Sequence, residues 1–232
     1  MTQNDPSPIL VFDVNETLLD ITALEPLFAR LFGDRSTLRE WFAQLILYSQ
    51  TMTLSGLYTP FDELGVGALR MVASIHGVIV ADRDIEELRE RMGSMPPHCD
   101  VAPALTRLRD ADFRLVTLTN SASASSPTSL ERAGLGDFFE HFFSVEAIRK
   151  FKPAAETYQY VAETMGVAIS ELCLVACHFW DTIGAQAAGC RGALIRRPNN
   201  AILPATEVPI PDFVSSDLTD LADQIIKQWR ES

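Results

Sequence analysis

From residue 98 onward the chain alternates short apolar runs with stretches of helical period, a rhythm that few folds accommodate. The apolar runs fall at residues 114–119, 142–145, 172–176 and 193–196. Helical stretches fall at 103–110, 128–133, 154–165 (started by Pro153), 182–189 and 218–229. Such alternation predicts a parallel sheet covered by helices on both faces. One more buried strand, residues 9–12, comes first and ends on Asp13. Between it and the alternating region the pattern is only helical. Leu24, Leu27, Phe28, Leu31 and Phe32 share a helical face, as do Leu38, Trp41, Phe42, Leu45 and Tyr48. A third helix carries Leu64, Ala68, Met71, Val72 and Ile75 and closes at Gly77; a fourth carries Ile85, Leu88 and Met92, with Asp82 as its N-cap. The expected architecture is an α/β core from residues 1–20 and 98–232, with an all-helical insert, 21–97, lying over the strand ends as a cap on Asp13.

In open α/β sheets ligands gather beyond the carboxyl ends of the strands. Four segments bring polar residues to that edge: Asp13 with Thr17, Thr119–Asn120–Ser121, Phe151–Lys152–Pro153, and Ala176–Cys177–His178–Phe179–Trp180–Asp181. Each has an ordinary explanation by itself. Asp13 can simply cap a turn or can act as a carboxylate nucleophile; Thr119–Asn120 reads as a strand-to-turn junction; Lys152 reads as a solvated lysine at a helix start. Their recurrence at successive strand ends points to one site.

The order of these residues resembles the haloacid dehalogenase (HAD) superfamily: Asp13 with Thr17 four residues on, a hydroxyl residue then asparagine at Thr119–Asn120, Lys152–Pro153, and a final Asp181. The resemblance covers nearly the whole chain and implies a HAD-like Rossmannoid core with a helical cap. Within the superfamily the chain is most similar to the type II L-2-haloacid dehalogenases. The cues are Leu47–Tyr48, Tyr58–Thr59–Pro60–Phe61, Tyr158 after Lys152, and Trp180–Asp181 ahead of Gly184–Ala185.

Residue chemistry favours that subgroup over phosphatases. The phosphatase pattern carries a second aspartate as general acid where this chain has Asn15, which neither donates nor accepts a proton at neutral pH. Where that pattern has Gly-Asp this chain has Ala176–Cys177, leaving Asp13 and Asp181 as a poor oxygen set for Mg²⁺. The expectation is a site without metal or cofactor, in which Lys152 balances Asp13 and Asp181.

The resemblance implies hydrolysis of short 2-haloacids to 2-hydroxy acids and halide, through an ester on Asp13. It places Lys152 and Asp181 around the nucleophile and water, with Thr17 and Tyr158 as hydrogen-bond partners. Thr119, Asn120 and the backbone amides of Val14 and Asn15 would receive the substrate carboxylate or halide. Phe42, Phe179 and Trp180 would line the pocket, with Trp41, Leu45, Tyr48 and Phe61 as an apolar ceiling or as ordinary helix core.

The chain departs from the family pattern in three places. Phe42 stands where an arginine helps cradle halide, and Arg39, one turn earlier, is either a substitute or a surface residue. Ala176 and His178 stand where two polar residues position the hydrolytic water. His178 is either a hydrogen-bonded imidazole ending a strand or a replacement water-positioner and base. Two rival readings follow: a Mg²⁺-dependent phosphatase or phosphonatase-like hydrolase, and a HAD scaffold without turnover.

Nineteen basic residues against 31 acidic ones give a formal charge of −12, which disfavours nucleic acid and anionic membrane as partners. An anionic substrate must then be held by local donors. No apolar run approaches the roughly 18 residues of a membrane span, and the polar first eight residues do not read as a secretory signal. Cys99, Cys173, Cys177 and Cys190 include no Cys-x-x-Cys pair, so reduced thiols and a cytoplasmic location are expected. Cys177 as a nucleophile has only His178 nearby to activate it. His76, His98 and His141 read as structural or exposed. A homodimer is implied by the resemblance.

Overall fold

The structure, a computed structural model, describes residues 7–122 and 128–230. The stretch 121–126, Ser-Ala-Ser-Ala-Ser-Ser, reads as a short polar turn, and most of it lies outside the described residues, as do residues 1–6 of the N-terminal segment.

β1 (Ile9–Phe12) is buried at every position, as a strand covered on both faces must be. After a 3-10 turn at Ile21–Leu24, four helices follow without an intervening strand: α1 (Glu25–Phe32), α2 (Thr37–Leu54), α3 (Phe61–His76) and α4 (Asp82–Gly93). The chain then alternates through α5 (Val101–Asp110), β2 (Leu115–Thr119), α6 (Ser129–Arg132), β3 (His141–Ser144), α7 (Ala155–Met165), β4 (Leu172–Ala176), α8 (Phe179–Ala188), β5 (Arg191–Ile195), β6 (Phe213–Ser215) and α9 (Leu218–Arg230). The six strands form one parallel sheet in the order β3-β2-β1-β4-β5-β6. β1 and β4 lie at its centre, paired from Ile9–Leu172 to Phe12–Val175. The chain runs outward from β1 through β2 and β3, then returns to the other side of β1 as β4. The connections leaving β1 and β4 therefore diverge, which opens a crevice at their carboxyl ends.

α5 packs on α9 and α7 on α8, while α2 packs on α3 and α1 on α2. Trp41 of α2 is fully buried and its indole N–H donates to the Gly65 carbonyl of α3 at 2.8 Å. This contact pins the two helices together, because a buried indole needs an acceptor. α3 ends at Gly77 in the left-handed conformation (φ 67°), which costs glycine nothing.

Several local expectations need correction. α4 is capped from Ala81, not Asp82; the carboxylate of Asp84, at the third helical position, accepts the Ala81 N–H at 2.8 Å. Of the face expected for α3, Ala68 and Val72 are buried but Ile75 points outward at 66% exposure; Phe61, Val66 and Leu69 complete the buried side. α8 begins at Phe179, three residues before its expected start, and β5 begins at Arg191 rather than 193. β6 was not anticipated, being only three residues long at the sheet edge. Among the described residues no helix is long and apolar enough to cross a membrane.

Candidate active site

Four connections converge at the carboxyl ends of β1, β2 and β4. Immediately after β1, Asp13 is 5% exposed, and each of its oxygens is engaged. Its Oδ1 accepts from Lys152 Nζ at 2.8 Å; its Oδ2 accepts from Thr17 Oγ1 at 2.6 Å and lies 3.1 Å from His178 Nδ1. Thr17 links two strand ends, since its hydroxyl also accepts the Cys177 N–H after β4 at 2.9 Å. Arg197 holds the Thr17 carbonyl from below (3.1 and 3.0 Å) and is itself paired with Asp100 at 2.7 Å.

Lys152 is 1% exposed, which rules out a solvated lysine. Its ammonium donates to Asp13, to Asp181 Oδ2 at 2.5 Å and to the Leu118 carbonyl at 3.0 Å, using all three hydrogens. Its backbone N–H donates to Asn120 Oδ1 at 3.0 Å. Asp181 accepts the Tyr158 hydroxyl at 2.6 Å. The approach is close because Gly184 lets α8 sit against Pro153: a Cβ there would lie 2.3 Å from Pro153 Cβ. Asp181 falls in the first turn of α8, where the helix dipole favours an anion.

His178 is a fully engaged imidazole. Nδ1 faces Asp13, and Nε2 lies 3.0 Å from Glu16 Oε2. The rings of Phe42 (5.4 Å between centroids) and Trp180 (5.2 Å, stacked) pack against it. Glu16 had no assigned role in the sequence. It is 2% exposed, and its Oε1 accepts from Arg39 and from Asn200 Nδ2 (2.9 Å). Its carbonyl lies 3.0 Å from His98 Nε2. Its φ is +65°, unusual for a residue with a Cβ. Glutamate after a turn asparagine reads as a solvated residue, so no local signal marks it. Arg39 is neither free on the surface nor aimed into a cavity, because it is spent on Glu16.

Charge balance follows from this geometry. Burial works to raise the Asp13 pKa, but the Lys152 ammonium and His178 outweigh it and hold the carboxyl well below its ordinary value. Burial disfavours the charged Lys152, yet Asp13 and then Asp181 keep it protonated. For Asp181 burial prevails over Lys152 and raises the pKa. Glu16 is lowered, with His178 and Arg39 overcoming burial. At His178 burial opposes the imidazolium, while Cys177 and hydrogen bonds to Asp13 and Glu16 raise its pKa well above the ordinary value. Tyr158 is pushed far up by burial and by Asp181, so its phenol stays a donor. Burial also raises Cys177, which leaves a neutral thiol and no activated nucleophile.

Beside this network lies a cavity of about 720 Å³ between the helical block and the sheet edge; Asp13 itself is not on its wall, which begins with the next two residues, Val14 and Asn15. Its wall includes Val14, Asn15, Thr117, Thr119 and Ser121 from the sheet side, and Trp41, Leu45, Phe61 and Leu88 from the helices. Asn15 Nδ2 donates to Ser121 Oγ at 3.1 Å, so its side chain braces the rim. Of the residues singled out in the sequence, Asp13, Thr17, Lys152, Tyr158, His178 and Asp181 form one connected network. Val14, Asn15 and Thr119 reach the cavity wall. Asn120, Phe42, Phe179 and Trp180 are not on it: Asn120 holds the Lys152 backbone, and Phe42 and Trp180 clamp His178. Tyr48 is 43% exposed and no part of a ceiling. His76 pairs with Glu40 at the surface, and His141 is exposed on β3.

Asp13, Cys177 and His178 each offer one ligand atom within 4.8 Å of the others. They do not suit a hard divalent cation. One donor is a neutral thiol, His178 Nδ1 is already against Asp13, and the Lys152 ammonium lies between the two aspartates.

A family model described as haloacid dehalogenase-like hydrolase matches residues 8–189. The chain is 29% identical over 199 residues to (S)-2-haloacid dehalogenase 1 of Pseudomonas sp. (strain CBS-3), covering 84% of this chain and 87% of that one. It is 27% identical over 214 residues to haloacetate dehalogenase H-2 of Moraxella sp. (strain B), covering 88% and 95%. The L-2-haloacid dehalogenase of Xanthobacter autotrophicus, solved with chloropropionic acid covalently bound, superposes with a TM-score of 0.84 at 25% identity, covering 94% of this chain and 98% of that one.

Proposed function

We propose that this chain, which belongs to the haloacid dehalogenase-like hydrolases, is a 2-haloacid dehalogenase that uses Asp13 as its nucleophile and needs no metal. The observation that carries the reading is the buried Lys152 ammonium bridging Asp13 and Asp181 at 2.8 and 2.5 Å. It supplies the positive charge that keeps Asp13 ionised. The relatives named as (S)-2-haloacid and haloacetate dehalogenases support the substrate class.

In the first step a carboxylate oxygen of Asp13 attacks the α-carbon of the 2-haloacid, and halide leaves with the bonding electrons. An ester now joins Asp13 to the substrate. In the second step water attacks the Asp13 carboxyl carbon, and acyl–oxygen cleavage releases the 2-hydroxy acid and restores the carboxylate. Configuration inverts once, because only the first step touches the stereocentre. Thr17 and Lys152 hold the two Asp13 oxygens, and Tyr158 fixes Asp181 against Lys152. Val14, Asn15 and Thr119 on the cavity wall receive the substrate carboxylate or the halide. Fixed donors of this kind contribute about 3–4 kcal/mol to lowering a barrier, and they offset the repulsion from a chain of net charge −12. The reading includes a cytoplasmic homodimer, supported by the free cysteines and by exposed Leu47, Leu54 and Leu57 at one end of α2.

Halide release from chloroacetate, fluoroacetate and 2-chloropropionate, followed with chelator present, tests the reading. Release that persists under chelator is expected, and release that needs added Mg²⁺ overturns it. With enzyme in excess in ¹⁸O water, the first turnover labels Asp13; label in the product instead means that water attacked the carbon directly.

A further inference from the structure

The dehalogenase reading leaves Glu16 unused, although three side chains meet its carboxylate, as many as meet that of Asp13. A buried residue with a side chain at φ +65° is strained, and such strain persists only where the surroundings over-determine it. Here they do: Arg39, Asn200 and His178 bind its two oxygens, and His98 faces its carbonyl. The direct product of all these contacts is the placement of Glu16 Oε2 3.0 Å from His178 Nε2. On the opposite side of the ring, Nδ1 faces Asp13 Oδ2 at 3.1 Å. The three groups form a line of carboxylate, imidazole and reacting carboxylate.

Resting on the dehalogenase reading, we infer that Glu16 is a positioning residue for ester hydrolysis: it holds the hydrogen of His178 on Nε2, so that Nδ1 is the base that activates water once Asp13 has become an ester. The logic is that of the serine-hydrolase triad, in which a buried carboxylate fixes the imidazole tautomer.

The titratable and charged groups around His178 are Asp13, Glu16 and Cys177, with Lys152 beyond Asp13 and Arg39 beyond Glu16; Phe42 and Trp180 cover its faces. Between two carboxylates the ring carries a hydrogen on each nitrogen, and in that state it cannot accept a proton. Alkylation removes the negative charge from the oxygen that faces Nδ1. One ring proton then leaves to solvent as halide departs, and the other stays on Nε2 because Glu16 still accepts it. Water next donates its oxygen electron pair to the Asp13 carboxyl carbon while Nδ1 takes its proton. Collapse of the tetrahedral adduct breaks the acyl–oxygen bond. The departing alkoxide takes the proton from His178, and the carboxylic acid left on Asp13 passes its own proton back to the ring. The sum is haloacid plus water giving hydroxy acid, halide and one proton. The base therefore exists only after the first step has succeeded.

Rapid-quench halide release with chloroacetate and intact-protein mass, compared between wild type and Glu16→Gln, test the assignment. Glu16→Gln is expected to retain a burst of one halide per site, lose steady-state turnover by on the order of 10²-fold or more, and accumulate a protein heavier by the ester. Glu16→Asp is expected to recover part of the turnover and to displace its pH profile. An unchanged steady state in Glu16→Gln, or equal losses of burst and turnover without adduct, overturns the inference while wild-type release upholds the dehalogenase reading. No halide from the wild type sinks both. Should Glu16→Gln not fold, ¹⁵N-histidine spectra of the unsubstituted protein at pH 7 decide. A His178 ring protonated at both nitrogens supports the assignment, and a neutral ring overturns it.

Discussion

Lys152 shows how one buried charge can organise a site. Removing it leaves Asp13 and Asp181 facing each other without a cation in a water-excluded setting, and breaking a buried pair in this way typically costs about 3–5 kcal/mol. Lys152→Met is expected to abolish halide release and to lower stability by that order, as read from urea midpoints. The deficit depends on pH in a definite direction. Asp13's folded pKa is depressed in the wild type, so its pairing contributes fully above the ordinary aspartate value of 3.8 and is lost as pH falls through the folded value. In the variant both carboxyls resist ionisation, and acid relieves them. The gap between variant and wild type should therefore narrow from pH 7 toward pH 4; a gap that widens would contradict the pairing. At this scale the sequence was only partly readable. Asp13, Thr17, Lys152, Tyr158 and Asp181 could be found from residue type and order. Glu16 could not, and Arg39 could be noticed but not read as its partner, because what joins them is a contact across 23 residues of chain.

Helix α8 carries the site's most exacting contact. Its first turn presents Asp181, and Gly184, one turn later, lies against Pro153 so closely that a Cβ would meet the proline carbonyl oxygen at 2.7 Å. Neither atom is the end of a flexible side chain, so the helix or the loop must move. Gly184→Ala is expected to cost about 1–3 kcal/mol through overpacking. It should also slow halide release, since any retreat of α8 stretches the contact between Lys152 and Asp181. Thermal midpoints together with initial rates check both effects, and a variant equal to wild type in both would show that the approach has slack. The early start of α8 has a local cause: His178 takes extended backbone (φ −86°, ψ 114°), so the helix begins directly after it. Apolar periodicity does not mark that start, because Phe179 and Trp180 fit a strand end as well as a first turn.

The whole molecule sets the room beside Val14 and Asn15, the two residues that follow Asp13. About 720 Å³ is ample for a two- or three-carbon acid and falls within the range of pockets that enclose drug-sized ligands. Trp41, Leu45, Phe61 and Leu88 give it an apolar wall, so longer 2-haloacids should bind better. Burying a methylene contributes about 0.8 kcal/mol, roughly a fourfold fall in KM for each carbon added, and a series from chloroacetate to 2-chlorohexanoate measures it. A KM that rises with chain length would mean that the cavity does not receive the acyl chain. The sequence by itself determined the parallel sheet, the helical block after β1 and the strand ends that bear Asp13, Lys152 and Asp181, because periodicity and strand-end polarity are local properties of the chain. Only the tertiary structure decided that Arg39 and Asn200 converge on Glu16 and Glu16 on His178, that Asn120 serves the Lys152 backbone, and that Phe42 covers an imidazole. Those outcomes depend on which side chains meet across distant connections after burial has excluded water, and no pattern along one strand or helix encodes them.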